Sequence, residues 1–274
     1  MAKRSKFVKP EQREIISAHV LGSKRISPNF VRVTIGGDGL REFTPMGFDQ
    51  WFRMFIPDRE QTGFRLPTSG GNLWYAQFKL IPKDVRPVLR NYTVREFRPD
   101  GGVFGDGPEL DIDFASHADL GPASAWADAC AAGDTVGLLD EGLIYNPTPD
   151  ARWHLLVGDE SALPAIVGIL RSVDPTLPVR AYVEVPHADD IQLVVVSDNV
   201  ELNWLVREDP TARPGELALS AVRAAELPDG PFYAFVAGES DLATGVRRHL
   251  VADRQVPKTD IAFTGYWRRG RAAY

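Results

Sequence analysis

A single cysteine, Cys130, stands in 274 residues, so the chain forms no intrachain disulfide and relies on its core for stability. One thiol, placed here in an Ala-rich helical stretch, fits a reducing compartment and a packing role. There is no C-x-x-C and no H-E-x-x-H, and the histidines, His19, His117, His154, His187 and His249, are scattered without metal-ligand spacing. Walker A, G-x-S-x-G and the full G-x-G-x-x-G fingerprint are also missing. No window approaches the ~18–20 consecutive apolar residues of a membrane span, and the basic start MAKRSKFVKP lacks the apolar segment of a signal peptide. Basic charge is not in excess: 31 Lys+Arg stand against 37 Asp+Glu, a net charge of −6, which argues against a nucleic-acid partner. These absences lead to the expectation of a cytoplasmic chain with no membrane insertion, no nucleic acid and no resident metal. A monomer is compatible with a chain whose oligomeric state the sequence leaves open.

What is present is ordinary globular material, 44% hydrophobic and 10% aromatic, in a length suited to one large or two ordinary domains. The first half reads as short strands cut by Gly-rich turns: Val31–Ile35, Trp51–Ile56, Arg90–Arg95, Glu109–Phe114 and Thr135–Leu139, with one helix over Ala123–Ala132 stopped at Gly133. Past the proline-bearing stretch NPTPDAR the rhythm alternates. Strands are expected at Trp153–Val157, Val179–Val185, Gln192–Val196, Phe232–Val236 and Ile261–Trp267, with helices at Ser161–Val173, Leu217–Ala225 and Asp241–Val251. The pattern predicts an antiparallel β-barrel over 1–145 followed by a parallel-rich α/β domain over 146–274. Acid pairs such as Asp111/Asp113 and Asp189/Asp190 read as solvated faces or turns.

The chemistry concentrates in Arg86–Trp126. On a strand, Arg90 and Tyr92 share one face and Thr93 points to the other. An arginine can fork onto a phosphate, a tyrosine can stack on an aromatic ring, and a hydroxyl beside them can reach a ring edge. Downstream, Gly121-Pro122-Ala123-Ser124 opens a helix whose first N–H groups and small residues suit a pyrophosphate, with Trp126 placed to cover a ring or anchor the helix. Taken alone, the first element reads more readily as a surface strand and the second as an ordinary capped helix; it is their conjunction that points to a nucleotide-type cofactor.

The combination R-x-Y-T-x-R, then D-F-x-x-H-x-D-x-G-P-A-S-x-W-A, resembles the siderophore-interacting protein family of flavin-dependent ferric-siderophore reductases, relatives of the ferredoxin–NADP reductases. VGDESALPAI (157–166), FVAGES (235–240) and GYWRRG (265–270) resemble the family's later segments in the same order. The resemblance implies an FAD-binding barrel and a C-terminal NAD(P)H-type domain, with the flavin ring between them. By position, Arg90, Tyr92 and Thr93 would hold the flavin and its phosphate arm, Tyr92 and Thr93 lying nearest the reacting ring. Phe114, His117 and Asp119 would border the adenosine half, and Pro122, Ala123, Ser124 and Trp126 the pyrophosphate. Asp159, Glu160, Ser161, Gly238, Glu239 and Trp267 would border the nicotinamide nucleotide, NADH or NADPH, with Trp267 equally consistent with a core residue. Glu184, Asp189 and Asp190 follow the second α/β strand and lean towards the free ribose hydroxyl of NADH.

The implied reaction passes electrons from NAD(P)H through FAD to a ferric siderophore. Arg53, Arg247 and Arg248 are the candidate cations for an anionic chelate, and Arg268, Arg269 and Arg271 are further candidates, with nucleotide or flavin as their contact. The turn Asp140-Glu141-Gly142 departs from the family pattern, and its two acids are expected to repel phosphate or an anionic chelate. Two other readings are open to the same residues: reduction of free flavin or a redox protein, and a flavin-free binding module.

Overall fold

The computed structural model describes residues 5–58, 62–115, 121–209 and 211–270. Backbone contacts divide the chain into two units. Lys9–Met46 and Gln50–Leu143 form one. The chain from Ile144 onward forms the other, together with Gly47–Asp49 and the first described residues up to Val8.

The first unit contains β1 (Ile15–Ser27), β2 (Phe30–Gly36), β3 (Trp51–Ile56), α1 (Trp74–Leu80), β4 (Val88–Thr93), β5 (Glu96–Arg98), β6 (Glu109–Ala115), α2 (Pro122–Ala127) and β7 (Thr135–Gly142). Its seven strands lie in the order β4-β3-β7-β1-β2-β6-β5, and every pair is antiparallel. β4 and β5 occupy opposite ends of that order, yet Thr93 and Glu96 are only three peptide steps apart, at most about 11 Å. The sheet therefore curls until its edges approach, which makes it barrel-like. Val20, Val33, Ile35, Phe52, Met54, Leu110, Ile112 and Leu138 fill the interior without exposed surface.

Two elements of this unit escape the sequence pattern. β1 turns Ile16, Ala18 and Val20 inward, but alanine weakens the alternation that would announce it. α1 covers the outside of the wall, burying Trp74 and Phe78 on Phe55 and Leu139. α2 is shorter than expected and ends at Ala127. Beyond it the Asp134 carboxylate takes the Ala131 N–H, and Gly133 at φ +94° turns the chain into β7. Cys130 lies after the helix, packed against the core.

The acids of β6 are not a solvated face. Leu110, Ile112 and Phe114 point into the core, and Glu109, Asp111 and Asp113 share the opposite side, all buried. Their neighbours in register supply arginines. Arg32 stands opposite Asp113 and binds it through two nitrogens (2.7 and 2.9 Å); Arg98 stands opposite Glu109 and binds both it (2.9 Å) and Asp111 (2.8 Å).

The second unit contains β8 (Trp153–Gly158), α3 (Leu163–Ser172), β9 (Val179–Val185), β10 (Val200–Val206), α4 (Glu216–Ala224), β11 (Phe232–Glu239), α5 (Ser240–Ala252) and β12 (Ile261–Trp267). Five parallel strands lie in the order β10-β9-β8-β11-β12. This is the doubly wound arrangement, with its topological switch between β8 and β11. The strand expected at Gln192–Val196 is instead Val200–Val206, which pairs with β9 residue for residue. The more hydrophobic run runs outside the sheet and leaves Leu193 92% and Val195 84% exposed. Apolar density alone misplaced this strand, because the position is set by pairing with β9.

Gly47–Asp49 is seated on this unit. The fully buried Asp49 carboxylate accepts the N–H groups of Ile144 (3.1 Å) and Tyr145 (3.0 Å), and Phe48 donates its N–H to Ser172 Oγ (2.8 Å). A Cβ at Gly168 would come within 2.0 Å of the Phe48 carbonyl oxygen, so only glycine allows this approach. Burial pushes Asp49 up to about 6 despite its backbone donors. Beneath it the Tyr145 hydroxyl bonds His154 Nδ1, and burial pushes that imidazole down to about 4.

Candidate functional site

The β3–β4 register organises the first cluster. Arg90 stands opposite Met54 and Tyr92 opposite Phe52, so both face the interior side of the wall. Tyr92 packs on Phe114 (ring centroids 4.2 Å), and Phe114 on Trp126 of α2 (5.7 Å). Burial pushes the Tyr92 hydroxyl above its ordinary range, against the pull of Arg90. Arg90 is half-buried, and burial lowers its pKa. Among the described residues its guanidinium finds no carboxylate, and its one bond goes to the Leu89 carbonyl (2.7 Å). A desolvated cation without an anion is costly, and a phosphate would compensate it. The buried indole N–H of Trp126, beside Phe114 on the same side, also lacks an acceptor among the described residues. α2 has Pro122 in its first turn, buried Ala123, and no side-chain cap; Ser124 Oγ donates to the Ala115 carbonyl (3.3 Å). An aromatic wall, an unpaired arginine and unfilled donors suit FAD, whose rings and phosphates supply what these groups lack. His117 and Asp119 lie outside the described residues, as does Arg271.

Thr93 is buried opposite Trp51, on the other face of β4, and shares that face with Arg53. The structure therefore separates Arg53 from Arg90 and Tyr92 across the wall. Arg53 lies over the Trp74 ring (4.9 Å) and donates to Glu141 (2.6 Å). A register shift at Trp51/Phe52 leaves Glu141 as the extra residue of a β-bulge. Lys9 (2.7 Å) and Arg13 (2.5 Å) bind the same carboxylate. Burial alone would raise Glu141, but the donors Lys9, Arg53 and Arg13 hold it below the usual carboxylate range. Asp140 is buried under Gln50 Nε2 and the Gly142 N–H (2.8 Å each). The expected repulsion at this turn is therefore corrected: three cations surround the one buried Glu141 carboxylate, and the local balance is positive. Lys9 and Arg13 were missed because nothing near them in sequence signals a partner 128 or more residues away.

In the second unit the switch point gathers Asp159, Ser161, Gly238, Glu239 and Trp267. Asp159 is fully buried and accepts from Ser161 N–H (2.9 Å) and Oγ (2.5 Å), Glu239 N–H (2.6 Å) and Trp267 Nε1 (3.0 Å). Gly238, at φ +131°, would carry a Cβ 2.7 Å from the Asp159 carboxyl carbon, so glycine is required for the clasp. Glu239 accepts from the N–H groups of Asp241 and Arg269. Glu160 is also fully buried, held by two bonds from Arg207 (3.0 and 2.6 Å). These carboxylates are committed to internal partners.

The same holds for Glu184, which binds Arg207 (2.8 Å) and the N–H groups of Gly215 (2.8 Å) and Ala218 (3.0 Å) at the start of α4. Asp190 is buried as well. The lean towards NADH loses its ground, since two of the three acids behind it do not face solvent. Arg207 was not singled out from sequence; its partners come from two other strands' ends. Arg247 and Arg248 lie midway along α5, about 12 Å of helix from its start at Ser240. Arg247 stacks on Phe263 (4.7 Å) and Arg248 is exposed. The structure does not bring them to the switch point.

Among the described residues no group of three or more His, Cys, Asp or Glu side chains converges as a metal site, and no helix is long and apolar enough to cross a membrane.

A barrel-like antiparallel unit followed by a doubly wound unit defines the ferredoxin reductase-like fold. A ferredoxin reductase of carbazole 1,9a-dioxygenase shares it at 17% identity, with a TM-score of 0.66 over 97% of this chain and 72% of that one. Residues 19–143 match the siderophore-interacting FAD-binding domain, and residues 151–270 match the siderophore-interacting protein family. The chain belongs to the siderophore-interacting protein family. It is 30% identical to the ferric vibriobactin reductase ViuB of Vibrio cholerae, over 90% of this chain and 87% of that protein. A siderophore utilization protein from T. fusca superposes with a TM-score of 0.79 at 28% identity, covering 98% of this chain and 97% of the other.

Proposed function

We propose that this protein is a cytoplasmic ferric-siderophore reductase that takes electrons from NADH or NADPH through FAD and releases iron as Fe(II). The observation that carries the reading is Arg90, a half-buried cation with no carboxylate among the described residues, beside the aromatic wall of Tyr92, Phe114 and Trp126. The name of the Vibrio relative, a ferric vibriobactin reductase, supports the substrate class.

When bound, FAD supplies the exchange between two-electron and one-electron chemistry that a ferric chelate requires. The chain's own residues do the holding. Arg90 neutralises a phosphate and Tyr92 offers a ring face, while Thr93, on the other face of β4, is not part of that contact. Trp126, packed on Phe114 at the same side of the wall, donates its indole N–H, and Ala123 and Ser124 keep close approach open. Arg53, Arg13 and Lys9 draw an anionic chelate, Glu141 fixing their positions while leaving the cluster positive. The iron arrives wrapped in oxygen ligands that hold Fe(III) more strongly than Fe(II), so reduction loosens the complex. The reading takes the protein as a monomer.

The switch point is the usual place for the nicotinamide nucleotide, but Asp159 and Glu160 there are anionic and internally bonded. The test is an anaerobic absorbance trace of protein reconstituted with FAD, given NADH or NADPH and then a ferric siderophore with a ferrous trap. Flavin bleaching, reoxidation and Fe(II) capture are expected. Bound flavin that ignores both nucleotides but reduces the chelate after chemical reduction would keep the reductase and overturn the donor. Protein that retains no flavin would overturn the whole reading.

A further inference from the structure

Two of the exposed apolar surfaces among the described residues differ in their electrostatic settings. Ile191, Leu193 and Val195 are exposed in the second unit, between the exposed acids Asp189 and Asp198. The other surface is α1 and the residue before it, where Leu73 is 67%, Tyr75 50% and Leu80 82% exposed. At 100° per residue Leu73, Ala76 and Leu80 form one stripe, opposite the buried Trp74 and Phe78. Lys79 flanks it, its ammonium over the Tyr75 ring (5.4 Å). Arg86 donates to the carbonyls of Lys79 (2.7 Å) and Ile81 (2.8 Å), which holds the end of the helix firmly in this pose.

Charge identifies what this face fits. Residues 62–86 contain four basic side chains (Arg65, Lys79, Lys83 and Arg86) and one acid, Asp84, a balance of +3 in a chain of net −6. Arg65, Lys79 and Lys83 are exposed, Lys83 three residues past the helix and Arg65 bonded through its backbone N–H to the Val85 carbonyl (3.0 Å) in the segment that follows it. Exposed leucines with a tyrosine at their margin and lysines alongside are the composition of a helix that lies on an anionic bilayer. The acid-flanked surface at Leu193 would be repelled by the same bilayer.

We propose that α1 seats the protein on the surface of an anionic lipid bilayer, with Leu73 and Leu80 entering the headgroup boundary and Lys79, Lys83 and Arg65 against lipid phosphates. The contact is peripheral and involves no spanning segment. The buried side of α1 carries Trp74, over which Arg53 lies. Docking therefore places the Lys9–Arg13–Arg53 cluster within about one helix diameter of the membrane, roughly 10 Å.

The test is sedimentation of the full-length protein with vesicles of phosphatidylcholine alone, or with about one-third phosphatidylglycerol, at roughly 0.1 M salt. Wild type, Leu80→Glu and the double variant Lys79→Glu/Lys83→Glu are compared, with circular dichroism to confirm folding. Partition onto anionic vesicles should exceed that onto neutral ones by at least about tenfold, and each variant should lose most of that excess. Three results would overturn the proposal: no partition onto either vesicle, partition that Leu80→Glu leaves unchanged, or tight capture of an acidic protein by a chain that ignores vesicles. The assay reads no flavin chemistry, so it stands or falls separately from the reductase reading.

Discussion

Replacing Arg207 with methionine tests whether the buried triad at the ends of β8 and β9 is what it appears from geometry, a structural clasp. Glu160 and Glu184 are both completely buried, and Arg207 is the cation that joins them. Without it Glu184 keeps the N–H groups of Gly215 and Ala218, whereas Glu160 loses both of its bonds to the guanidinium. Removing one partner from a buried pair costs about 3–5 kcal/mol, because a desolvated charge is left behind. In a chain of this size that is a fall of roughly 6–20 °C in Tm. The pH dependence follows from Glu160. Its folded pKa in the variant rises above the unfolded value of about 4.3. A carboxyl raised in this way gives up stability as pH climbs through the folded pKa. The deficit against wild type should therefore be largest near neutrality and narrow on acidification. Thermal melts followed by circular dichroism across that range provide the measurement, with Arg207→Met/Glu160→Gln as control, which should recover about half of the loss. A deficit under about 1 kcal/mol, a deficit independent of pH, or a double variant no more stable than the single would refute the argument.

Further expectations rest on other parts of the structure. Arg90→Ala should weaken FAD retention by roughly 10–100-fold, the worth of a charge-assisted hydrogen bond; unchanged flavin stoichiometry on gel filtration would remove Arg90 from the phosphate contact. Arg53→Ala should raise KM for an anionic ferric chelate while sparing FAD content, and equal KM values would dismiss Arg53 from the substrate site. Gly238→Ala should destabilise by about 2 kcal/mol or more through its φ and its contact with Asp159, measured by urea denaturation; a neutral result would mean that the Asp159 clasp yields easily. His154 and Asp49 oppose one another in acid. Unfolded His154, at 6.5, takes a proton that the folded residue refuses down to about 4, so stability falls as pH drops through that window. Asp49, raised from 3.8 to about 6, contributes stability at low pH that is lost as pH rises. Asp49→Asn leaves the histidine unopposed, and Tm should then fall more steeply between pH 6.5 and 4 than in wild type; parallel profiles would contradict this.

The succession of an antiparallel barrel and a parallel α/β unit was legible from the chain, because alternation and turn residues are local signals. Trp51–Ile56, Val179–Val185 and Ile261–Trp267 are strands over the residues the pattern marks. The motif around Arg90 and Tyr92 was equally legible, and strand alternation alone put Thr93 on the other face. What local pattern could not supply was partnership across the chain. Nothing beside Glu141 announces Lys9, Arg13 and Arg53, and nothing beside Glu160 announces Arg207; an acid reads as a solvated charge until a distant cation is folded against it. The same limit put a strand at Gln192–Val196, where hydrophobicity is greatest, although β9 offers its edge to Val200–Val206. Sequence determined which residues prefer strand, helix or turn and which carry chemistry. Tertiary structure decided which charges are neutralised, because burial and pairing depend on neighbours that only the folded chain brings together.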